Sequence, residues 1–161
     1  MGPSEIGILI AVASARGLVA VRIGTDEAML EREIEEEFGC ASLRRADDAM
    51  SGYLTALQAH ALTGRAEDVP LDPRGTPFQV KVWNALREIP VGQTRTYAQV
   101  AASIGKPTGA RAVASACASN PIALAIPCHR VIRGDGSLAG DAWGLRVKER
   151  LLALEAQQQA A

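Results

Sequence analysis

Cysteine is scarce in this chain of 161 residues, and long apolar runs are missing. The three cysteines, Cys40, Cys117 and Cys128, are odd in number, widely spaced and form no CxxC pair, which argues against a disulfide framework and a structural zinc site. We therefore expect a reducing, cytoplasmic setting. The longest apolar stretch, residues 6–15, is far too short to span a bilayer and has no positively charged leader, so neither a membrane anchor nor a secretion signal is expected.

Acidic side chains are missing from residues 89–134, a segment that carries five basic residues: Arg95, Lys106, Arg111, Arg130 and Arg133. The chain has a formal net charge of −1, but residues 1–73 hold 6 Lys and Arg against 13 Asp and Glu, whereas residues 74–161 hold 11 against 5. One interpretation is that the carboxy-terminal half faces a polyanion. The alternative is that charges of one sign cluster here by chance.

The amino-terminal part of the chain predicts a small α+β unit. Residues 6–13 and 18–23 are β-prone runs joined by a turn, a pattern that predicts an antiparallel hairpin. Thr25 is placed to cap a helix that runs to Phe38. The other elements expected in this unit are a short strand and a helix, at residues 42–45 and 47–62.

A second unit begins after residues 63–77, which are rich in Gly, Pro and charge and indicate a connector. Thr76 caps a helix with a first-turn proline, and Pro90 ends it. The predicted fold class is α+β: a small amino-terminal antiparallel sheet with helices, then a mainly helical carboxy-terminal domain. We expect the two domains at residues 1–70 and 71–161.

Two further helices are expected in the basic segment. Residues 96–105 predict a helix that ends at glycine and residues 110–119 a second one, an arrangement typical of a helix-turn-helix. One face of the second helix is lined by Arg111, Ala114, Ser115 and Ala118. Because this helix has few long polar side chains, it suits a sequence-indifferent contact in the minor groove, with the arginine as a probe, better than base reading in the major groove. The alternative is a tightly buried helix.

The motif IPCHRVIR, at residues 126–133, places Cys128 beside His129. A nucleophilic cysteine must be deprotonated, and nearby positive charge or a partner base lowers the thiol pKa from its ordinary value of roughly 8.5. Adjacent side chains on an extended segment point to opposite faces, so contact between the two would need a bend, for which Pro127 is suited, or a bridging water. The alternative is a buried structural cysteine beside a core histidine.

A carboxylate near the end of the chain is placed to orient this histidine. In residues 143–156, helical spacing puts Leu145, Lys148, Leu152 and Glu155 on one stripe. A buried carboxylate without a partner is costly, and an imidazole would remove that cost. The alternative is a solvated Glu155 near a frayed helix end.

Together these segments resemble the O6-alkylguanine-DNA alkyltransferases, in particular the alkyltransferase half of the bacterial adaptive-response protein Ada. The residues that carry the resemblance are GTPFQVKVWNALREIPVGQT (75–94), TYAQVAASIGKP (96–107), ARAVASACASNPIALAIPCHRVIRGDGSL (110–138) and WGLRVKERLLALE (143–155). The amino-terminal half fits more loosely. The resemblance implies a ribonuclease-H-like unit over residues 1–70, followed by a domain that binds DNA and accepts the alkyl group over residues 71–161.

The resemblance also implies a reaction. Cys128 would take a methyl or other alkyl group from guanine O6, and from thymine O4, in a nucleotide rotated out of duplex DNA. His129 would take the thiol proton through water, and Glu155 would orient the imidazole. Asn120 would organise the turn that holds the cysteine, and Tyr97 would assist rotation and protonate the leaving guanine. Because the thioether is stable, each molecule would react once.

The implied partner is double-stranded DNA containing O6-alkylguanine, bound through its minor groove by a monomer without cofactor or metal. Arg111 would fill the gap left by the rotated nucleotide. The expected DNA-binding residues are Thr96, Ala110, Arg111, Ala114, Ser115 and Arg130. The expected substrate pocket is formed by Tyr97, Cys117, Gly140, Asp141 and Trp143.

Three other functions fit part of the pattern. A non-enzymatic binder of alkylated DNA lacks the acceptor cysteine, so the presence of Cys128 argues against it. A cysteine hydrolase or acyltransferase could use Cys128, His129 and Glu155, but it needs an oxyanion hole and leaves the helix of small residues unexplained. A helix-turn-helix regulator is disfavoured by the shortage of base-reading side chains.

Asp141 departs from the family pattern, in which a tyrosine commonly occupies this position in the loop over the substrate pocket. An acid there removes an aromatic wall and adds negative charge near DNA. We expect Asp141→Tyr to speed repair of benzyl-modified guanine more than repair of methyl-modified guanine, measured as transfer rates. Equal rates for the wild type and the variant on both substrates would contradict this expectation.

Overall fold

The amino-terminal sheet has three antiparallel strands in the order β1-β2-β3: β1 (Gly2–Ser4), β2 (Gly7–Ser14) and β3 (Gly17–Gly24). The computed structural model describes residues 2–4, 7–39, 46–63, 69–137 and 145–160. The predicted hairpin is confirmed as β2 and β3, whereas β1 was not expected. Since β3 is buried along most of its length, the sheet has protein on both faces.

One face of the sheet is covered by helix α1 (Glu27–Phe38), which packs Leu30 and Ile34 against Ile10. The predicted cap at Thr25 is wrong by one residue, because the Asp26 side chain accepts from Met29 N at 3.2 Å. Helix α2 (Asp47–Thr63) matches the helix expected at residues 47–62. The strand expected at residues 42–45 lies outside the described residues.

Two capping boxes start the next helices, α3 (Pro77–Arg87) and α4 (Tyr97–Ser103). In the first box, Gln79 N donates to Thr76 Oγ1 at 3.1 Å and Thr76 N donates to Gln79 Oε1 at 2.8 Å. In the second, Gln99 N donates to Thr96 Oγ1 at 3.1 Å and Thr96 N donates to Gln99 Oε1 at 2.9 Å. The second box fixes Tyr97 as the first residue of α4. Helix α5 (Ala110–Ala118) follows residues 104–109 and packs against α4 and α3.

The region around Cys128 and His129 is held by a small parallel pair of strands, β4 (Arg95–Thr96) and β5 (Val131–Ile132). A single 3₁₀ turn, Cys128–Arg130, immediately precedes β5. Helix α6 (Leu145–Ala160) packs against this turn and against α2. The pairing of β4 with β5 therefore brings the start of α4 next to the end of the cysteine turn.

One hydrophobic core runs through most of the molecule and crosses the predicted boundary at residue 70, since Leu18 and Leu57 belong to the same cluster as Val82 and Ile126. A backbone bond also crosses it, since Asp72 N donates to Leu18 O at 2.7 Å. The α+β class is confirmed, and the division into two domains stays a prediction. Within the described ranges, no helix is long and apolar enough to cross a membrane.

Gly75 precedes the first capping box, and a Cβ added at this position would clash with a core residue. A Cβ on Gly75 would lie 2.5 Å from Trp83 Cη2 and 2.7 Å from Gln79 Oε1. The indole is buried and donates from Nε1 to Ala116 O at 2.9 Å, so it cannot retreat without losing that bond. We expect Gly75→Ala to lower the free energy of unfolding by about 1–3 kcal/mol in urea titration.

Gly52 supplies the matched control, since it lies within α2 with nothing within 4 Å of an added Cβ. Gly52→Ala should raise the free energy of unfolding by roughly 0.5–1 kcal/mol, because alanine has the higher helix propensity. If Gly75→Ala proved as harmless as Gly52→Ala, the close packing of Trp83 would be refuted.

Candidate active site

The backbone bends at Pro127, with φ −81° and ψ 63°, and then closes the 3₁₀ turn that starts with Cys128. Cys128 N donates to Ile126 O at 2.8 Å, and Arg130 N donates to Pro127 O at 3.0 Å. The thiol side chain is 0% exposed. The bend expected at Pro127 is therefore present, and the motif is a tight buried turn instead of an extended segment.

Asn120 ties together the chain that leads into this turn. Its Nδ2 donates to Ile126 O at 2.8 Å, while its Oδ1 accepts from Ile122 N at 2.9 Å. Between these points Leu124 has φ +70°, a left-handed conformation that leucine rarely adopts, and it is fully buried. Such a strained residue persists only where its surroundings hold it, and the buried amide of Asn120 is one such restraint.

His129, Arg130 and Glu155 form a buried cluster. His129 Nε2 lies 2.6 Å from Glu155 Oε1, and Arg130 reaches the same carboxylate with Nε at 3.1 and 3.0 Å and with Nη2 at 2.8 Å. Arg130 Nη1 also donates to Ile89 O at 2.7 Å. The three side chains are 1–4% exposed. Glu155 is thus on the inward face of α6, and the solvated alternative is excluded.

The protonation of this cluster follows from its bonds. Burial would raise the pKa of Glu155, but hydrogen bonds from His129 and Arg130 outweigh it and hold that pKa at about 2, below the ordinary 4.5. An ionised Glu155 requires a proton on His129 Nε2, which leaves Nδ1 as the nitrogen able to accept. Nδ1 is buried and has no hydrogen-bond partner within the described part of the chain.

Lys148 is a site residue to which the sequence pattern assigned no role. It is 0% exposed, donates from Nζ to Val131 O, and lies 5.9 Å from the centroid of the half-buried Tyr97 ring. The sequence held a signal for the burial of Lys148, because this residue lies on the same helical stripe as Glu155. A buried ammonium beside a phenol ring is a cation–π arrangement that fixes the position of Tyr97.

Helix α5 presents one face to solvent and the other to the core. Val113, Ala116 and Cys117 are buried, whereas Arg111 and Ser115 are exposed. Ala110 and Ala114 on the same helix are half-buried, as is Thr96 at the start of α4. The alternative of a helix buried on all sides is therefore wrong. Cys117, expected at the substrate pocket, is buried on the inward face of α5.

Arg130 is not on this surface, because its guanidinium is buried against Glu155 and Ile89. Its expected contact with DNA has no support in the geometry.

Three residues expected at the substrate pocket, Gly140, Asp141 and Trp143, lie outside the described residues. Across the part of the chain that the structure describes, no group of three or more His, Cys, Asp or Glu side chains is arranged to hold a metal ion.

The depressed pKa of Glu155 predicts a pH dependence of stability. The folded-state pKa, about 2, lies below the ordinary 4.5, so the unfolded chain binds more protons in this window and stability is lost as pH falls through it. We expect Glu155 to account for about 2 kcal/mol of the loss in unfolding free energy between pH 5.5 and pH 3. In Glu155→Gln, urea titrations at the two pH values should show a correspondingly shallower dependence.

Glu149, exposed on the same helix, is the control. Glu149→Gln should leave the pH dependence close to that of the wild type. An equal change in both variants would mean that the carboxylate of Glu155 is not specially stabilised by its partners.

A family model described as "6-O-methylguanine DNA methyltransferase, DNA binding domain" matches residues 77–157. The match begins with α3 and ends within α6, so it contains Asn120, the cysteine turn and the buried cluster. The chain is also 58% identical over 157 residues to the methylated-DNA–protein-cysteine methyltransferase of Methanosarcina acetivorans, which covers 94% of each chain.

A second relative is the bifunctional transcriptional activator/DNA repair enzyme Ada of Escherichia coli, 45% identical over 157 residues. The alignment covers 96% of this chain but 44% of Ada, so the chain spans less than half of that protein's length. Among solved structures, OGT of Mycobacterium tuberculosis in complex with DNA is similar, with a TM-score of 0.75, 35% sequence identity and coverage of 97% of this chain and 91% of that one. These findings confirm the resemblance expected from the motifs: the chain belongs to the 6-O-methylguanine DNA methyltransferase family.

Proposed function

We propose that the protein repairs alkylated DNA by moving an alkyl group from guanine O6, and from thymine O4, to Sγ of its own Cys128. The observation that carries this proposal is the buried array in which Glu155 holds His129 Nε2 at 2.6 Å and leaves Nδ1 available as a base next to the cysteine in sequence. Membership in the family and the names of the relatives support the same chemistry.

The transfer is a single displacement. The thiol proton of Cys128 passes to His129 Nδ1 through one water, and Glu155 stabilises the imidazolium that results. A bond forms between Sγ and the alkyl carbon while the bond from that carbon to O6 breaks. The electron pair of the broken bond remains on the guanine, which takes a proton from the Tyr97 hydroxyl. The thioether has no route back to a thiol, so each molecule reacts once.

Arg130 has a different place in this mechanism from the one expected. Its guanidinium makes bonds to both carboxylate oxygens of Glu155, so it holds the carboxylate in the orientation that faces His129. A neighbouring positive charge also keeps Glu155 ionised, which maintains the proton on Nε2. We therefore assign Arg130 to the positioning of the base and not to a contact with DNA.

The DNA surface is proposed on the exposed face of α5. Arg111 projects from the first turn of this helix, which has no side-chain cap on its N-terminal N–H groups. Positive charge and unbonded backbone donors at a helix N-terminus favour phosphate groups. The small side chains Ala110, Ala114 and Ser115 allow close approach in the minor groove, with Arg111 filling the gap of a rotated nucleotide. The protein acts on double-stranded DNA as a monomer, in the cytoplasm.

Incubation with duplex DNA containing O6-methylguanine tests the proposal. Peptide mass spectrometry should locate one added methyl group on the Cys128 peptide, with no turnover beyond one equivalent. Cys128→Ser should remove all transfer, because the hydroxyl is a far weaker nucleophile at neutral pH.

Cys117→Ala is the matched control, since Cys117 is a second buried thiol outside any disulfide. This variant should retain transfer to Cys128. Binding without modification would favour a lesion binder or a regulator instead, and multiple turnovers with release of product would favour a cysteine hydrolase.

A further inference from the structure

The amino-terminal sheet bonds directly to the chain segment that leads to Cys128. Val21 N, in β3, donates to Pro121 O at 2.8 Å, and Ala123 N donates back to Val21 O at 3.3 Å. Val21 and Ile122 thus form an isolated parallel bridge. The outer edge of β3 therefore serves as a short sheet partner for the residues that follow Asn120.

Arg22 adds a charged bond at the same point. Its Nη1 donates to Pro121 O at 2.6 Å, so one carbonyl oxygen accepts from both the backbone of Val21 and the guanidinium of Arg22. The other end of the guanidinium is held by α1, since Nη2 lies 2.7 Å from Glu37 Oε2. The Arg22 side chain is 19% exposed, which places this charge-assisted bond largely out of water and strengthens it.

A short path of hydrogen bonds connects Pro121 to the acceptor cysteine. Asn120 precedes Pro121 and donates to Ile126 O, and the same carbonyl oxygen accepts from Cys128 N. Displacement of Pro121 would therefore move Asn120, and with it the acceptor of the Cys128 amide.

The strained backbone of Leu124 makes this path sensitive to the loss of any bond that restrains it. At φ +70° the segment between Asn120 and Ile126 stores strain and relaxes when a restraint is removed. Two sets of bonds restrain it: those of the Asn120 side chain within the turn, and the outer bonds that β3 makes to Pro121 and Ala123. Of the outer bonds, only the one from Arg22 can be removed by a side-chain substitution.

We propose that Arg22 is a positioning residue for alkyl transfer: by holding the Pro121 carbonyl, it aligns Sγ of Cys128 with the alkyl carbon. The proposal rests on the function proposed above and extends it to the amino-terminal sheet. Displacement requires the sulfur, the alkyl carbon and O6 in line, and a shift on the order of 1 Å lowers such rates by up to about 10²-fold. The described contacts of Arg22 are to Pro121 and Glu37 and not to the face of α5 proposed for DNA, so we expect it to affect the rate and not the affinity for DNA.

Arg22→Met tests the proposal, because it keeps the length and apolar stem of the side chain and removes the donors. We expect the transfer rate at saturating O6-methylguanine duplex to fall about tenfold. The dissociation constant, measured by fluorescence anisotropy in a Cys128→Ser background, should stay within twofold of that of the same background with Arg22. A loss confined to affinity, or no loss of rate, would overturn the proposal.

Glu37→Gln is the matched control, since it removes the outer ion pair and leaves Arg22 able to reach Pro121. Its saturating rate should stay within twofold of the wild type. A loss equal to that of Arg22→Met would assign the effect to the contact with α1 and overturn the role of Pro121.

Arg22→Lys keeps one cationic donor, so it provides a second test if the methionine variant misfolds. Its rate should lie between those of Arg22→Met and the wild type, and a rate equal to that of the wild type would contradict the role of the guanidinium.

Amide hydrogen exchange provides a readout that does not depend on activity. In Arg22→Met the amides of residues 122–130 should exchange at least fivefold faster, while those of α3 and the midpoint of urea unfolding stay near wild-type values. Unchanged exchange in residues 122–130 would overturn the proposal even if the rate fell. If the wild type transferred no methyl group, the proposed function would fail, and exchange would still decide whether Arg22 holds the turn.

Discussion

The ionised carboxylate of Glu155, buried between an imidazole and a guanidinium, is the interaction on which the site depends. Three polar groups removed from water are stable only because each satisfies the others, and loss of one partner from such a cluster costs about 3–5 kcal/mol. The cluster joins the last helix to the cysteine turn across 26 residues of sequence. It sets the tautomer of His129, the position of α6 and the inward direction of Arg130 together.

Around this cluster, different restraints hold Cys128 and His129, the residues proposed as nucleophile and base. His129 is oriented by α6 through Glu155, and Lys148 on the same helix holds Val131 and faces Tyr97. Cys128 is positioned through its backbone, by the amide of Asn120 and the strand edge of β3. The two residues are neighbours in sequence, yet the contacts that hold them come from different parts of the chain: Asn120 and β3 on the Cys128 side, and α6 on the His129 side. The geometry of the site therefore depends on both the amino-terminal sheet and the last helix.

Much of this organisation could be predicted from local sequence. The cap at Thr76 with its following proline is a short-range signal, and α3 begins where that signal placed it. The helix expected at residues 96–105 is present as α4, Tyr97–Ser103. Helical spacing also put Glu155 on an inward stripe, because periodicity reports burial. The resemblance to a known family supplied the roles that spacing alone left open between a structural and a catalytic cysteine.

The partners of buried charges could not be predicted in the same way. Arg130 lies in an acid-free segment, which suggested an exposed contact with DNA, but its carboxylate partner comes 25 residues later on another helix. The bond of Arg22 to Pro121 spans 99 residues, and β4 and β5 are too short to show periodicity. Long-range pairing depends on packing that no local window contains.

The complete burial of Cys128 has a consequence for the lifetime of the protein. A thiol that reacts only once, as proposed for Cys128, must not be consumed by oxidants or other electrophiles before its substrate arrives. At 0% exposure, Cys128 is shielded from molecules in solution, which would keep the acceptor thiol of the proposed reaction intact. Under the proposed function, burial would preserve the thiol until a nucleotide substrate entered the site.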